Sequence, residues 1–219
     1  MPDATDSYLV AARAAECEIK EKGSRFIARV FPLSSQERIE ETLQGLRKRE
    51  HDATHHCFAW RLWRGPAASA DADVFRYSDD GEPSGSAGKP IYDQLCGAGL
   101  HNTLVVVTRY FGGTKLGVGG LVRAYGAAAK SALEAAGATE RYERERFELI
   151  VEFTTYTPLT RLLNELNAET VTETFSDQVS LTVAVRRTLA ERFYERFVEL
   201  THGKGEIRRQ PAQAGESDG

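Results

Sequence analysis

Two sets of residues in this 219-residue chain could do chemistry. The first is a run of histidines and acids: His51, His55, His56 and Cys57, followed by Asp79, Asp80 and Glu82 in the segment YSDDGEPSGSAGKP. Histidine beside carboxylates supplies general acid and base groups, or ligands for a divalent ion. The second is VVVTRYFGGTKLGVGGLVRAY, residues 105–125, where an apolar, β-branched run enters a loop holding Gly112, Gly113, Gly117, Gly119 and Gly120. Arg109, Tyr110, Lys115 and Arg123 stand among those glycines. Glycine carries an entropic cost that a plain connector rarely bears, and it lets the backbone come close to a ligand. From residue 83 to 133 the only acid is Asp93, against Lys89, Arg109, Lys115, Arg123 and Lys130, so an anionic partner is expected there.

Each motif has a plainer reading beside it. His51 and His55 have the i, i+4 spacing of helical zinc ligands, yet Asp52 stands where that motif needs glutamate, and the segment reads as a strand. No metal and no cofactor is expected, and the histidines read as structural. A phosphate-binding P-loop ending at Gly88-Lys89 would need glycine at Pro83 and a hydroxyl at Pro90. The dinucleotide fingerprint would need glycine at Val122. A dyad of Cys57 with His55 lacks an evident electrophile pocket. The acids Asp79, Asp80 and Glu82 are either a solvated turn or a magnesium and acid–base site, and both remain open. What survives around the glycines is a helix start near Leu121, whose free N–H groups and dipole favour an anion.

The elements that must position these residues follow from periodicity. Strands are expected around residues 17–19, at 25–31, at 54–62 and at 104–107, with a turn at Lys22-Gly23. Residues 36–49, preceded by Ser34 and Ser35, read as an N-capped amphipathic helix with Ile39, Leu43 and Leu46 inward. Along 54–62, Thr54, His56, Phe58 and Trp60 share one face, and His55, Cys57, Ala59 and Arg61 share the other. A surface loop is expected at 65–73, a short helix at 91–96 after Pro90, and an alanine-rich helix at 121–136 ending at Gly137. The second half reads βαββαβ: strand 147–153, helix 158–166, strands 169–175 and 179–185 joined across residues 176–178, helix 189–200 and strand 205–208.

Composition sets the outer bounds. Hydrophobic residues are 41% and charged residues 27%, with a net charge of −4 and an isoelectric point near 5.8. A general, charge-driven nucleic-acid coat would show a basic excess, so any such contact must be local. No apolar run is long enough to span a bilayer, and the N-terminus does not read as a signal peptide, so a cytoplasmic, membrane-free protein is expected. Cys17, Cys57 and Cys96 are odd in number and unpaired in spacing, which fits reduced thiols.

Three ordered segments, HDATHHCFAW, SDDGEPSGSAGKPIYD and VVVTRYFGGTKLGVGGLVRAYGAA, closely resemble the signature segments of the IMPACT/YigZ family. The resemblance spans most of residues 16–137. It implies an α+β protein with an N-terminal ribosomal protein S5 domain 2-like domain at 1–140. A ferredoxin-like domain at 141–210, resembling elongation factor G domain V, would follow, with a disordered tail at 211–219. It also implies a role in translation regulation. The family pattern lands on His55, His56, Asp79, Asp80, Gly81, Glu82, Gly85, Lys89, Arg109, Tyr110, Gly112, Gly113, Lys115, Gly119, Gly120 and Arg123. The expected function is a non-enzymatic monomer that binds RNA or a ribosome-associated surface. Lys89, Arg109, Tyr110, Gly112, Gly113, Lys115, Gly119, Gly120 and Arg123 would form the contact. Two alternatives stand beside it: a phosphate-recognising hydrolase or phosphotransferase using His55, His56, Asp79, Asp80 or Glu82 with a metal, and a protein-interaction module.

Overall fold

The computed structural model describes residues 6–65 and 74–210. The surface loop expected at 65–73 lies almost wholly outside the described residues, and the tail expected at 211–219 wholly so. The chain divides into two compact units, Tyr8–Arg141 and, among the described residues, 6–7 with 142–210.

In the larger unit the order is β1 (Ser7–Ala11), β2 (Ala15–Glu21), β3 (Ser24–Pro32), α1 (Gln36–Arg49), β4 (His55–Leu62) and β5 (Val74–Ser78). There follow α2 (Gly88–Gly97), β6 (Leu100–His101), β7 (Thr103–Tyr110), α3 (Val118–Ala136) and β8 (Ala138–Tyr142). The principal sheet runs β2-β3-β7-β4-β5 with every neighbour antiparallel. A smaller sheet runs β6-β1-β8, with β1 and β6 parallel.

Strand alternation divides the principal sheet between two cores. Cys57 and Ala59 of β4, with Val105 and Val107 of β7, face α2 and α3. Phe58, Trp60 and Leu62, with Leu104 and Val106, face Ile39, Leu43 and Leu46 of α1. The sequence places α1 well because its signals are complete: the Ser35 hydroxyl accepts from the Arg38 backbone N–H, and three apolar residues recur at helical spacing. Each of those buried aliphatic side chains contributes about 1.5–3 kcal/mol, so a charge at Ile39 would unseat the helix. On the other face Ala124, Ala128, Ala129 and Ala132 let α3 lie close to the sheet.

The smaller unit contains β9 (Arg144–Val151), α4 (Phe153–Glu165), β10 (Glu169–Phe175) and β11 (Val179–Arg186). A single 3-10 turn at Arg187–Leu189, α5 (Ala190–Thr201) and β12 (Glu206–Arg209) complete it. Its antiparallel sheet runs β10-β11-β9-β12. Both helices meet the sheet in one core, where Leu159, Leu162 and Leu163 join Phe193 and Phe197 over Phe147, Leu149 and Val183. Helix α4 begins at Phe153, well before the Pro158 start read from periodicity, because its first turn is mostly exposed and carries no apolar rhythm. Among the described residues no helix is long and apolar enough to cross a membrane.

Candidate functional site

One end of the principal sheet gathers most of the histidines and acids singled out by the sequence. Ser24 opens β3, His55 opens β4 and Arg109 lies near the end of β7, where it is opposite Phe26 on one side and His55 on the other. The loop from Asp79 crosses this end, turning through left-handed backbone at Asp80 and Gly81. Gly81 is required by its φ of 89°, and a β-carbon there would also touch the His55 ring at 3.5 Å.

The three acids are each committed to protein donors. Asp79 accepts backbone N–H bonds from Gly85 at 2.8 Å, Ala87 at 2.9 Å and Gly88 at 2.8 Å. Burial opposes its charge, yet these three bonds outweigh it and hold the carboxyl below its ordinary range. Asp79 thereby fills the anion-binding end of α2, which has no side-chain cap at Ala87 itself. Asp80 accepts the His56 backbone N–H at 2.7 Å and pairs with Arg47 at 3.0 Å. Its carbonyl lies 2.8 Å from His55 Nδ1 and accepts that proton.

Glu82 lies deepest. Its Oε1 accepts from Arg109 Nη1 at 2.6 Å and from the Tyr125 hydroxyl at 2.7 Å, while Oε2 stands 3.9 Å from His55 Nε2. The Glu82 and Arg109 side chains are only 4% and 6% exposed. Arg109 also donates to the Ser24 hydroxyl at 3.4 Å and lies between the rings of Phe26 and Phe111, each centred 5.4 Å away. Its Nε finds no partner. Burial pushes the Tyr125 hydroxyl and the Cys57 thiol well above their usual values, so both stay protonated at neutral pH. Burial likewise lowers His56, against the opposing charges of Asp80 and Glu50, and His56 Nδ1 stands 3.2 Å from the Thr108 hydroxyl. Tyr125 and Ser24 were not singled out by motif reasoning, although a lone tyrosine in an alanine-rich helix was a visible signal.

The glycine-rich segment has a different character. Residues 111–115 are all exposed, and so are Val118, Gly119, Val122 and Arg123 at the start of α3. Phe111 is 47% and Val118 57% exposed, large values for apolar side chains. Helix α3 begins after Gly117, has no side-chain cap and has no acid in its first turn. Gly112 is held against the turn between β2 and β3: its N–H donates to the Ser24 hydroxyl at 3.2 Å, and a β-carbon there would lie 1.9 Å from the Gly23 carbonyl carbon. Gly113 adopts a φ of 86°. Gly120 packs on Leu116, where a β-carbon would meet Leu116 Cβ at 2.9 Å.

The predicted contact residues therefore separate into four places. Lys115, Gly119 and Arg123 are on the exposed segment, whereas Arg109 is interior with its charge turned to Glu82. Tyr110 is half-buried, donating to Glu50 at 3.4 Å beneath the Arg25 guanidinium. Lys89 projects from α2 and pairs with Asp93. Among the described residues, no three of His, Cys, Asp or Glu form a set that could hold a metal ion.

Comparison with known proteins completes the picture. Residues 22–133 match the family model Impact N-terminal domain, and residues 149–204 match a domain of unknown function, DUF1949. The chain is 35% identical over 205 residues to the IMPACT family member YvyE of Bacillus subtilis (strain 168), covering 92% of this chain and 90% of that protein. It is 31% identical over 198 residues to the IMPACT family member YigZ of Escherichia coli (strain K12), covering 90% and 95%. A crystal structure of a hypothetical protein is similar over 95% of this chain and all of its own, at 30% identity and a TM-score of 0.68.

Proposed function

This chain belongs to the IMPACT family, and we propose that it is a non-enzymatic, cytoplasmic monomer that binds RNA or a ribosome-associated surface in translation regulation, through residues 111–123. The observation that carries this reading is a contrast between two glycine-fed helix starts. At α2 the backbone N–H groups are already occupied by the protein's own Asp79. At α3 there is no side-chain cap and no acid in the first turn, while Lys115 and Arg123 flank an exposed loop. Phosphate on that segment would meet backbone N–H groups, a helix dipole and two cations together, with Phe111 exposed alongside to stack on a base.

The acids support the same direction. An enzyme drawing on Asp79, Asp80 or Glu82 would need carboxylate oxygens for metal or substrate, and all of those oxygens except Glu82 Oε2, which stands 3.9 Å from His55 Nε2, accept bonds from backbone N–H groups, Arg47, Arg109 or Tyr125. We read the larger unit as the S5 domain 2-like domain of 1–140 and the smaller as the ferredoxin-like domain of 141–210. The sheet order β10-β11-β9-β12 with both helices in one core supports the latter.

Replacing Lys115 and Arg123 with alanine should weaken binding to ribosomes and to a short single-stranded RNA, with little change in thermal stability, because exposed charges contribute little to folding. Removing one cation from a phosphate should reduce the slope of log affinity against log salt by about 0.7, so the double variant should flatten it by roughly 1.4. Unchanged affinity and slope on both targets would reject this reading.

A further inference from the structure

His56 is a titratable group that the proposed binding segment does not use, and it is only 7% exposed. It is the second residue of β4, lies opposite Thr108 of β7 and shares the α1 face of the sheet with Phe58 and Trp60. Its ring donates to the backbone of Glu50, the residue that ends α1. In the neutral ring the other nitrogen, Nδ1, therefore accepts from the Thr108 hydroxyl, 3.2 Å away. Arg29 Nη1 donates to that same Thr108 oxygen at 3.5 Å. The charged groups of the surrounding elements are already engaged with one another: Arg29 pairs with Glu50 at 2.6 Å and with Glu16, Asp80 pairs with Arg47 at 3.0 Å, and Tyr110 donates to Glu50 at 3.4 Å. A proton on Nδ1 would leave Thr108 between two donors, Arg29 and an imidazolium, and would add a charge where burial works against it.

The end of α1 also holds the start of the glycine-rich segment. Ala53 N–H donates to the Glu50 carbonyl at 3.0 Å, Thr54 N–H donates to the Arg109 carbonyl at 2.8 Å, and Thr54 Oγ1 accepts from the Phe111 N–H at 3.1 Å. We propose that His56 is an acid-sensitive latch: neutral, it ties the end of α1 to the sheet and so keeps Thr54 on Phe111, whereas protonated it releases residues 50–54 and Phe111 together. That this regulates binding rests on the function proposed for residues 111–123; the latch itself does not. A histidine whose charged form the fold disfavours contributes stability that is complete above its unfolded value, about 6.5, and is lost as pH falls from there toward its lower folded value.

Hydrogen exchange on the full chain, corrected for the intrinsic rate, reads the latch without any ligand. Between about pH 7.5 and about pH 5.5, protection of the amides of residues 50–54 and Phe111 should fall several-fold, with a ceiling of about tenfold, because one proton shifts the opening equilibrium about tenfold per pH unit below 6.5. His56→Gln keeps a donor and an acceptor but cannot titrate, so its protection should hold across that range. If His56→Gln fails to fold, the ring nitrogens of wild-type His56, followed by NMR, decide: they should titrate with the same midpoint as the loss of Phe111 protection, and a different midpoint would overturn the latch. Affinity for a short oligouridylate should fall in step in wild type and hold in His56→Gln. Other histidines gain positive charge in acid, which alone would strengthen binding of an anion, so a fall is diagnostic. Protection that ignores pH, or a folded His56→Gln that loses protection as wild type does, would overturn the latch and leave residues 111–123 as the binding segment. Protection that falls while affinity holds would overturn the regulation. Wild type that binds no oligouridylate at either pH would reject the binding function, and exchange alone would then decide the latch.

Discussion

At Glu82 a single carboxylate has to neutralise a guanidinium that reaches almost no solvent. A buried ion pair offers little net stability against an apolar pair of similar volume, but breaking it leaves one charge stranded. Glu82→Ala should therefore cost about 3–5 kcal/mol in denaturant unfolding, while Glu82→Leu combined with Arg109→Met should regain much of that loss. A single-variant loss below about 1 kcal/mol would show that Glu82 is not the structural counter-ion of Arg109. Little of this constellation was legible in the sequence. Histidine, acid and arginine motifs flagged His55, Glu82 and Arg109, but Arg109 looked like a phosphate contact because charge in a glycine-rich stretch is ordinarily exposed. Its burial follows from strand register, which sets it between Phe26 and His55, and Glu82 reaches it from 27 residues away while Tyr125, 43 residues from Glu82, bonds the same carboxylate.

Elements with a complete local code were readable, and elements defined by their neighbours were not. Helix α1 and the β10–β11 hairpin follow from caps, periodicity and turn residues. Strands β1, β5, β6 and β8 escape because they are short or lie toward sheet margins, where alternation of burial is weak. The acidic turn shows the same limit: its residues signal a loop, but not that Asp79 folds back to cap α2. Glycines in the binding segment also divide by cause, and this can be measured. Gly112→Ala drives a β-carbon into the Gly23 backbone, which has no flexible end to move, and should cost about 3 kcal/mol. Gly113→Ala meets nothing within 4 Å and pays only for left-handed backbone, about 1 kcal/mol. Equal losses in urea unfolding would mean that close approach to the β2–β3 turn does not hold the loop.

At the scale of the whole chain, the beginning of the described sequence is built into the unit formed by its end. Asp6 accepts from Arg186 at 2.7 Å, from the Thr188 backbone N–H at 3.1 Å and from the Thr188 hydroxyl at 2.6 Å. Its own carbonyl accepts from the Glu143 backbone N–H at 2.6 Å. No pattern in the sequence announced this, because Arg186 and Thr188 stand 180 or more residues from Asp6. Burial raises the cost of the Asp6 charge, but the bonds from Arg186 and Thr188 more than offset it and bring the carboxyl down to about 2. A carboxyl depressed on folding stabilises the native state fully above its unfolded value, near 3.9, and that stabilisation fades as pH falls toward the folded value. The shift corresponds to roughly 2 kcal/mol at neutral pH. Asp6→Ala should remove at least about that much, since it also leaves the Thr188 donors and Arg186 without their acceptor. It should also flatten the pH dependence of unfolding between about pH 4 and pH 2. Urea titrations of both proteins across that range decide the matter: parallel curves would mean that Asp6 does not anchor the start of the chain, and that a fragment beginning at residue 142 needs nothing from it.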